Sequence, residues 1–325
     1  MKNQPIDPFA ARDIQDQVDK VLLGLDNPEP PIDLRYVREL LKLDRRFYST
    51  KETGWLRESV SKVKVGTKQL AMRPSLILDV VSRARLKALW IPDKRRILIN
   101  EELHPLKRRH AEGHEITHSI MPHHRLFLFG DDRETLSTSC HEKLESEANF
   151  GSGQLLFLRE RFIEEAYDQP RTLATVRKLA KTFDNTITMT LWRLVEEAHA
   201  DEPIFGIVSP HPKYLCDDFD PRNPCRYFIE SPAFRARFGI VTETEAFESI
   251  QSYASGARGG PLGEGYGDFV DCNGEPHRFY METFFNRYEA LTLGTHCGPI
   301  RTQVVVPKNF PNPMSVGPLQ SGISM

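Results

Sequence analysis

Glu112-Gly113-His114-Glu115-Ile116-Thr117-His118 contains a His-Glu-x-x-His arrangement, and this stretch decides how the rest of the chain is read. An α-helix turns once every 3.6 residues, so positions four apart share a face. The His114 and His118 imidazoles would then stand side by side and could share one Zn²⁺. Glu115 would point toward the space a metal-bound water occupies, where a carboxylate can act as general base. The pattern implies metal-dependent hydrolysis, with a peptidase as the first expectation.

The flanking residues fit a helix at that place. Pro105 suits a first helical position and Pro122 a stop, which sets a helix from about Leu106 to Ser119. Upstream, Arg96 to Asn100 (Arg-Ile-Leu-Ile-Asn) reads as a short strand after a Pro92-Asp93-Lys94 turn. Such a strand beside the metal helix is expected to pair with a peptide substrate through its backbone. Seven of the eleven histidines (104, 110, 114, 118, 123, 124 and 141) gather between positions 104 and 141.

A tetrahedral catalytic zinc takes three protein ligands and leaves one position open. Downstream candidates for the third are His123, His124, His141, Glu142, Glu145 and Glu147. The pattern His-Glu-x-x-His-x-x-Gly-x-x-His fails because Met121 stands where glycine is required. A carboxylate on a second helix, over Glu142 to Phe157, is therefore favoured. Glu145 and Asn149 share a face, so Glu145 would bind the metal while Asn149 hydrogen-bonds a ligand histidine. Glu147 is the second choice, turned about 200° away from Glu145 by two helical steps. His123, His124 and Tyr167 are candidate donors to a transition-state oxyanion, and His110 is a solvated or supporting histidine four residues before His114.

Toward the amino terminus, Ile14 to Leu25 and Leu34 to about Asp44 carry apolar residues at helical spacing, the second with Asp33 as cap. Ser49 to Gln69 is polar and unassigned, and Ser75 to Leu89 reads as another helix. Between Arg171 and Glu197, two short apolar stripes flank Asp184-Asn185-Thr186, the pattern of two helices around a tight turn. Arg171, Arg177, Lys178, Lys181 and Arg193 surround it, so it is either a helical hairpin packed on the core or a surface that contacts DNA. Beyond Pro203 the residues 204–208, 225–230, 268–271, 279–283 and 288–293 read as strands, with Asn273-Gly274 as a hairpin turn. The six glycines between Gly256 and Gly267 lack the spacing of a phosphate loop and read as a flexible loop.

Composition narrows the class. With 325 residues, 39% hydrophobic and 27% charged, the chain has the size and balance of a soluble globular protein of one or two domains. A formal net charge of -2 implies no general attraction to nucleic acid or anionic lipid. No membrane-spanning or signal-like stretch is evident, so a cytoplasmic location is expected. Five cysteines (140, 216, 225, 272 and 297) without close pairing fit a reducing compartment rather than a disulfide scaffold or a second metal site.

From Pro31 to about Glu197 the chain resembles the ImmA/IrrE family of metallo-endopeptidases. The resemblance rests on His-Glu-x-x-His followed by Glu145-Ser146-Glu147-Ala148-Asn149 and Leu155-Leu156, and on Pro30-Pro31-Ile32-Asp33-Leu34. Arg177 to Phe183 and Trp192-Arg193-Leu194 are similar to the helix-turn-helix-like element after the peptidase core. Gly151-Ser152 and Phe157-Leu158 depart from the family's usual Phe-Ala and Leu-Leu-x-Pro. The resemblance implies an α+β fold: a mainly helical, zincin-like (gluzincin-type) core with a small sheet over 1–170 and the helix-turn-helix-like element over 171–200. A β-rich domain with a sensory role as one option would follow over 201–305, then a flexible tail over 306–325. It implies one catalytic Zn²⁺ held by His114, His118 and Glu145, with Glu115 as base, and a DNA-binding repressor as the protein cleaved. The alternative is a DNA-binding or ligand-sensing regulator whose metal site is structural or inactive, with 171–197 touching the duplex.

Overall fold

The structure, a computed structural model, describes residues 6–48, 88–91, 95–124, 138–217 and 219–300. The readings for 49–69, most of 75–89, the 125–137 loop and the tail fall outside these residues. The fold is α+β. Helix α1 (Pro8–Gly24) and helix α2 (Leu34–Leu41) form where the apolar spacing predicts them, and the Asp33 carboxylate caps α2 by accepting from the Arg35 N–H at 2.9 Å. Strand β1 (Asp44–Tyr48) follows, then β2 (Ala88–Ile91) and β3 (Arg96–Asn100).

These three strands make a small sheet in the order β1-β3-β2, with β1 parallel and β2 antiparallel to β3. β3 is therefore the central strand. Both its edges are already hydrogen-bonded, so it cannot pair with a substrate peptide. This corrects the expectation from sequence, which saw the apolar run Ile97-Leu98-Ile99 but could not see its neighbours. A run buried on both faces belongs inside a sheet rather than at its rim.

Helix α3 (Pro105–Ile120) carries the His-Glu-x-x-His residues, and helix α4 (Thr138–Leu156) crosses it. Two glycines set how closely they approach. A Cβ on Gly151 would lie 2.4 Å from Thr117 Cγ2, and one on Gly113 would lie 2.8 Å from Ser152 Oγ. A side chain at either position would force the facing side chains or the helices to shift. The departure Gly151-Ser152 is thus matched to the partner helix, where Thr117 and Gly113 face it.

Helix α5 (Glu160–Tyr167) leads to α6 (Leu173–Thr182) and α7 (Ile187–Arg193), and a π-helical turn, Leu194–Ala198, continues α7. The Asn185 side-chain amide donates to the Leu156 carbonyl at 3.2 Å, so the α6–α7 turn satisfies the open end of α4. The helix pair is folded into the body. Arg193 is buried against Gln154 and Glu197, whereas Arg171, Arg177, Lys178 and Lys181 are exposed, Arg177 with its guanidinium over the Phe284 ring. Arg193 therefore belongs to the packed interior and cannot contribute to a surface that contacts DNA.

The carboxy-terminal part is an antiparallel sheet in the order β5-β4-β8-β7-β6. Its strands are β4 (Ile204–Ser209), β5 (Tyr227–Glu230), β6 (Gly260–Val270), β7 (Pro276–Phe285) and β8 (Ala290–Pro299). Helices α8 (Pro232–Phe238) and α9 (Glu243–Tyr253), not anticipated from sequence, lie between β5 and β6. The sheet is covered on both faces. Ile204, Val208, Leu291 and Leu293 join the helical core, while Phe205, Ile207, Phe279 and Met281 pack with α8 and α9. From Gly260 onward the glycine-rich run is strand β6, while Gly256 and Gly259 stand in the irregular segment before it. A Cβ on Gly265 would meet the Tyr253 ring at 2.5 Å and one on Gly267 would lie 3.2 Å from Ser249 Oγ, so the missing side chains let α9 lie against the sheet. The hairpin turn at Asn273-Gly274 forms as expected, with Gly274 at φ 84°.

Candidate metal centre

Helical spacing places His114 and His118 on one face of α3, and the α3–α4 crossing brings Glu145 onto them. The two Nε2 atoms are 3.2 Å apart. Glu145 Oε2 lies 3.3 Å from His114 Nε2, and its Oε1 lies 3.6 Å from His118 Nε2. A tetrahedral zinc with ligands at roughly 2.0–2.1 Å separates neighbouring donor atoms by about 3.3 Å. The three donors therefore have the spacing and the chemistry that such an ion requires.

Outer contacts hold the ligands in place. His114 Nδ1 is 3.0 Å from Asn149 Oδ1, the pairing expected one turn along α4 from Glu145. His118 Nδ1 is 2.8 Å from His124 Nδ1, and His124 Nε2 is 2.9 Å from Glu147 Oε2. His123 Nε2 lies 2.7 Å from the same oxygen. Glu147 thus faces away from Glu145, as two helical steps require, and gathers a second group with His123 and His124. His123 and His124 were expected as donors to a reacting oxyanion; both ring nitrogens of His124 are engaged, with Glu147 and His118, and His123 Nε2 is engaged with Glu147. Tyr167 is exposed at the end of α5 and stacks near His199, with ring centroids 6.4 Å apart, so it is not assembled with the histidine pair. The His110 ring lies 6.4 Å from that of His114. Glu142 stands near the start of α4, one turn before Glu145, and the side chain of His141 lies outside the described residues.

Glu115 differs from the other carboxylates. Burial raises its pKa to about 7; His114 and the donating Trp90 backbone N–H oppose the shift, while Glu145 adds to it. Glu145 is also pushed up by burial, but hydrogen bonds and charge from His114 and His118 outweigh this and hold it well below the usual carboxylate range. Two neighbouring carboxyls thus have opposed proton affinities, a pattern that separates a proton carrier from a fixed anion.

Sequence reasoning missed several supports. Buried Glu112 accepts from Arg38 Nε at 2.6 Å and Arg45 Nη1 at 2.8 Å, tying α3 to α2 and β1. Tyr48, buried at the end of β1, is raised to about 12 by burial and by Glu115 and Glu102. Edge strand β2 supplies the Trp90 N–H to Glu115. The one local sign was the Glu112 charge inside an otherwise covered helix face; the others depend on long-range contacts.

Residues 76–195 match the peptidase family described as the IrrE N-terminal-like domain. The matched span contains β2, β3, α3 and α4, hence every residue of the histidine–carboxylate group. A solved structure described as a "Mycobacterium tuberculosis transcriptional regulator" is 11% identical, with a TM-score of 0.49, covering 88% of this chain and 76% of that chain. No curated protein matches the chain. No helix among the described residues is long and apolar enough to cross a membrane.

Proposed function

We propose that this chain is a zinc-dependent endopeptidase of the ImmA/IrrE type, with His114, His118 and Glu145 as ligands and Glu115 as general base. The observation that carries the reading is the convergence of two Nε2 atoms 3.2 Å apart with the Glu145 carboxylate, whose two oxygens reach them at 3.3 and 3.6 Å, beside a buried carboxyl of raised pKa on the histidine helix. A bound divalent cation would supply Lewis acidity, polarising a scissile carbonyl and acidifying a water. Glu115, with a pKa near neutrality, takes a proton from the attacking water and returns it to the leaving amine. Asn149 and His124 keep the imidazoles oriented. The outer side of β2 is the place for the substrate backbone, because among the described residues it is the end of the sheet next to Glu115.

On this reading the catalytic unit spans 1–170, the helix pair 171–200, and a β-rich, sensor-like domain 201–305, with a tail over 306–325. The substrate is a regulatory protein, a DNA-binding repressor first, in a cytoplasmic setting. Proteolysis of such a repressor by the zinc-loaded chain tests the reading against the Glu115→Gln variant. That variant should retain the metal and lose turnover by about 10²–10⁴-fold. Undiminished cleavage by Glu115→Gln would remove Glu115 from the role of base.

A further inference from the structure

We infer that Glu147 and His124 form a positioning relay that fixes which nitrogen of His118 carries its proton, and that the relay keeps a second cation out of the His123–His124–Glu147 group. This rests on the zinc reading of His114, His118 and Glu145.

A neutral imidazole has one N–H and one lone pair. Glu147 Oε2 meets two imidazole nitrogens, His123 Nε2 at 2.7 Å and His124 Nε2 at 2.9 Å, and a carboxylate oxygen can accept from both, so in the count of protons His124 Nε2 is taken as the donor. His124 Nδ1 is then the bare nitrogen. Its 2.8 Å contact with His118 Nδ1 needs one donor and one acceptor, so His118 Nδ1 carries the proton. His118 Nε2 is left with its lone pair toward His114 Nε2 and Glu145, the form a metal requires.

The same count governs the second group. Its three donor atoms have ligand-like spacing. A cation on His124 Nε2 would move the ring proton to Nδ1, placing two N–H groups against each other across 2.8 Å. The alternative is for His118 to shift its own proton to Nε2 and lose the first ion. The two groups compete for one proton and cannot both be filled. His123 touches Glu147 without reaching His118, which makes it the internal control.

Zinc affinity of the full-length protein, by chelator competition, and zinc stoichiometry, by elemental analysis, test this together. Wild type should bind one ion. His124→Phe should weaken zinc about 10–100-fold. His124→Gln should recover most of that loss, since its amide accepts from His118 and donates to Glu147. His123→Ala should stay within about threefold of wild type. Metal-free melting of each variant separates misfolding from lost affinity. Should His124→Phe not fold, imidazole ¹⁵N spectra of zinc-loaded wild type decide: His118 protonated on Nδ1 and His124 on Nε2 support the relay, and the reverse overturns it. Two ions per wild-type chain, or unchanged affinity in a folded His124→Phe protein, also overturn it. A wild type that binds no zinc overturns the metal reading itself.

Discussion

His199 shows how one side chain can carry acid sensitivity away from the centre. It is fully buried at the end of the π-helical turn, and neither ring nitrogen has a hydrogen-bond partner among the described residues. Burial depresses its pKa, Arg171 adds to the effect, and Glu202 and Asp201 oppose it. As pH falls through about 6.5, the unfolded chain takes up a proton that the folded chain refuses. Stability is therefore complete above that pH and is lost as pH falls toward the lower folded value. Denaturant midpoints for wild type should decline from pH 7 to 5, and His199→Phe should flatten that decline while keeping the ring beside Tyr167. A variant whose slope matches wild type would show that other groups, such as the buried His124, set the acid response.

At the scale of elements, the α3–α4 crossing is the feature that builds the centre, and glycine is what permits it. Gly151→Ala gains about 1 kcal/mol of helix propensity but overpacks a closed contact, which costs about 1–3 kcal/mol. We expect a net loss of about 1–2 kcal/mol in urea unfolding, partly recovered by adding Thr117→Ser, which removes the methyl at 2.4 Å. A stabilised Gly151→Ala protein would mean the helices have room to spare. This crossing also marks the boundary of what the sequence discloses. The periodicity of α3 and the i,i+4 pairing of Glu145 with Asn149 are local, so both were readable. Glycine at 151 read only as a departure from the family's usual residues because its partner, Thr117, is remote along the chain. The same failure made β6 look like a loop, since α9 and Tyr253 supply the reason for its glycines. It also hid the central position of β3, because pairing depends on strands that sequence alone does not align.

For the molecule as a whole, one apolar core runs from α1 and α3 through α6 and α7 to β4 and β8. The five-stranded sheet is therefore built into the body that carries the centre. Leu291→Ala, in the sheet, should cost about 2–5 kcal/mol and shift unfolding of the helical part equally, followed by far-ultraviolet and tryptophan signals. Two separated transitions would show that the sheet melts by itself. Helix α4 spans this core as a strut. Glu145 and Asn149 stand near the histidines, while farther along Gln154 is gripped by Arg193 and Glu197. Inserting or deleting one residue between Glu145 and Gln154 would swing one against the other by about 100° and alter their separation by about 1.5 Å. That stretch can tolerate exchanged side chains at its uncrowded positions, but its length is as fixed as the cut of a key.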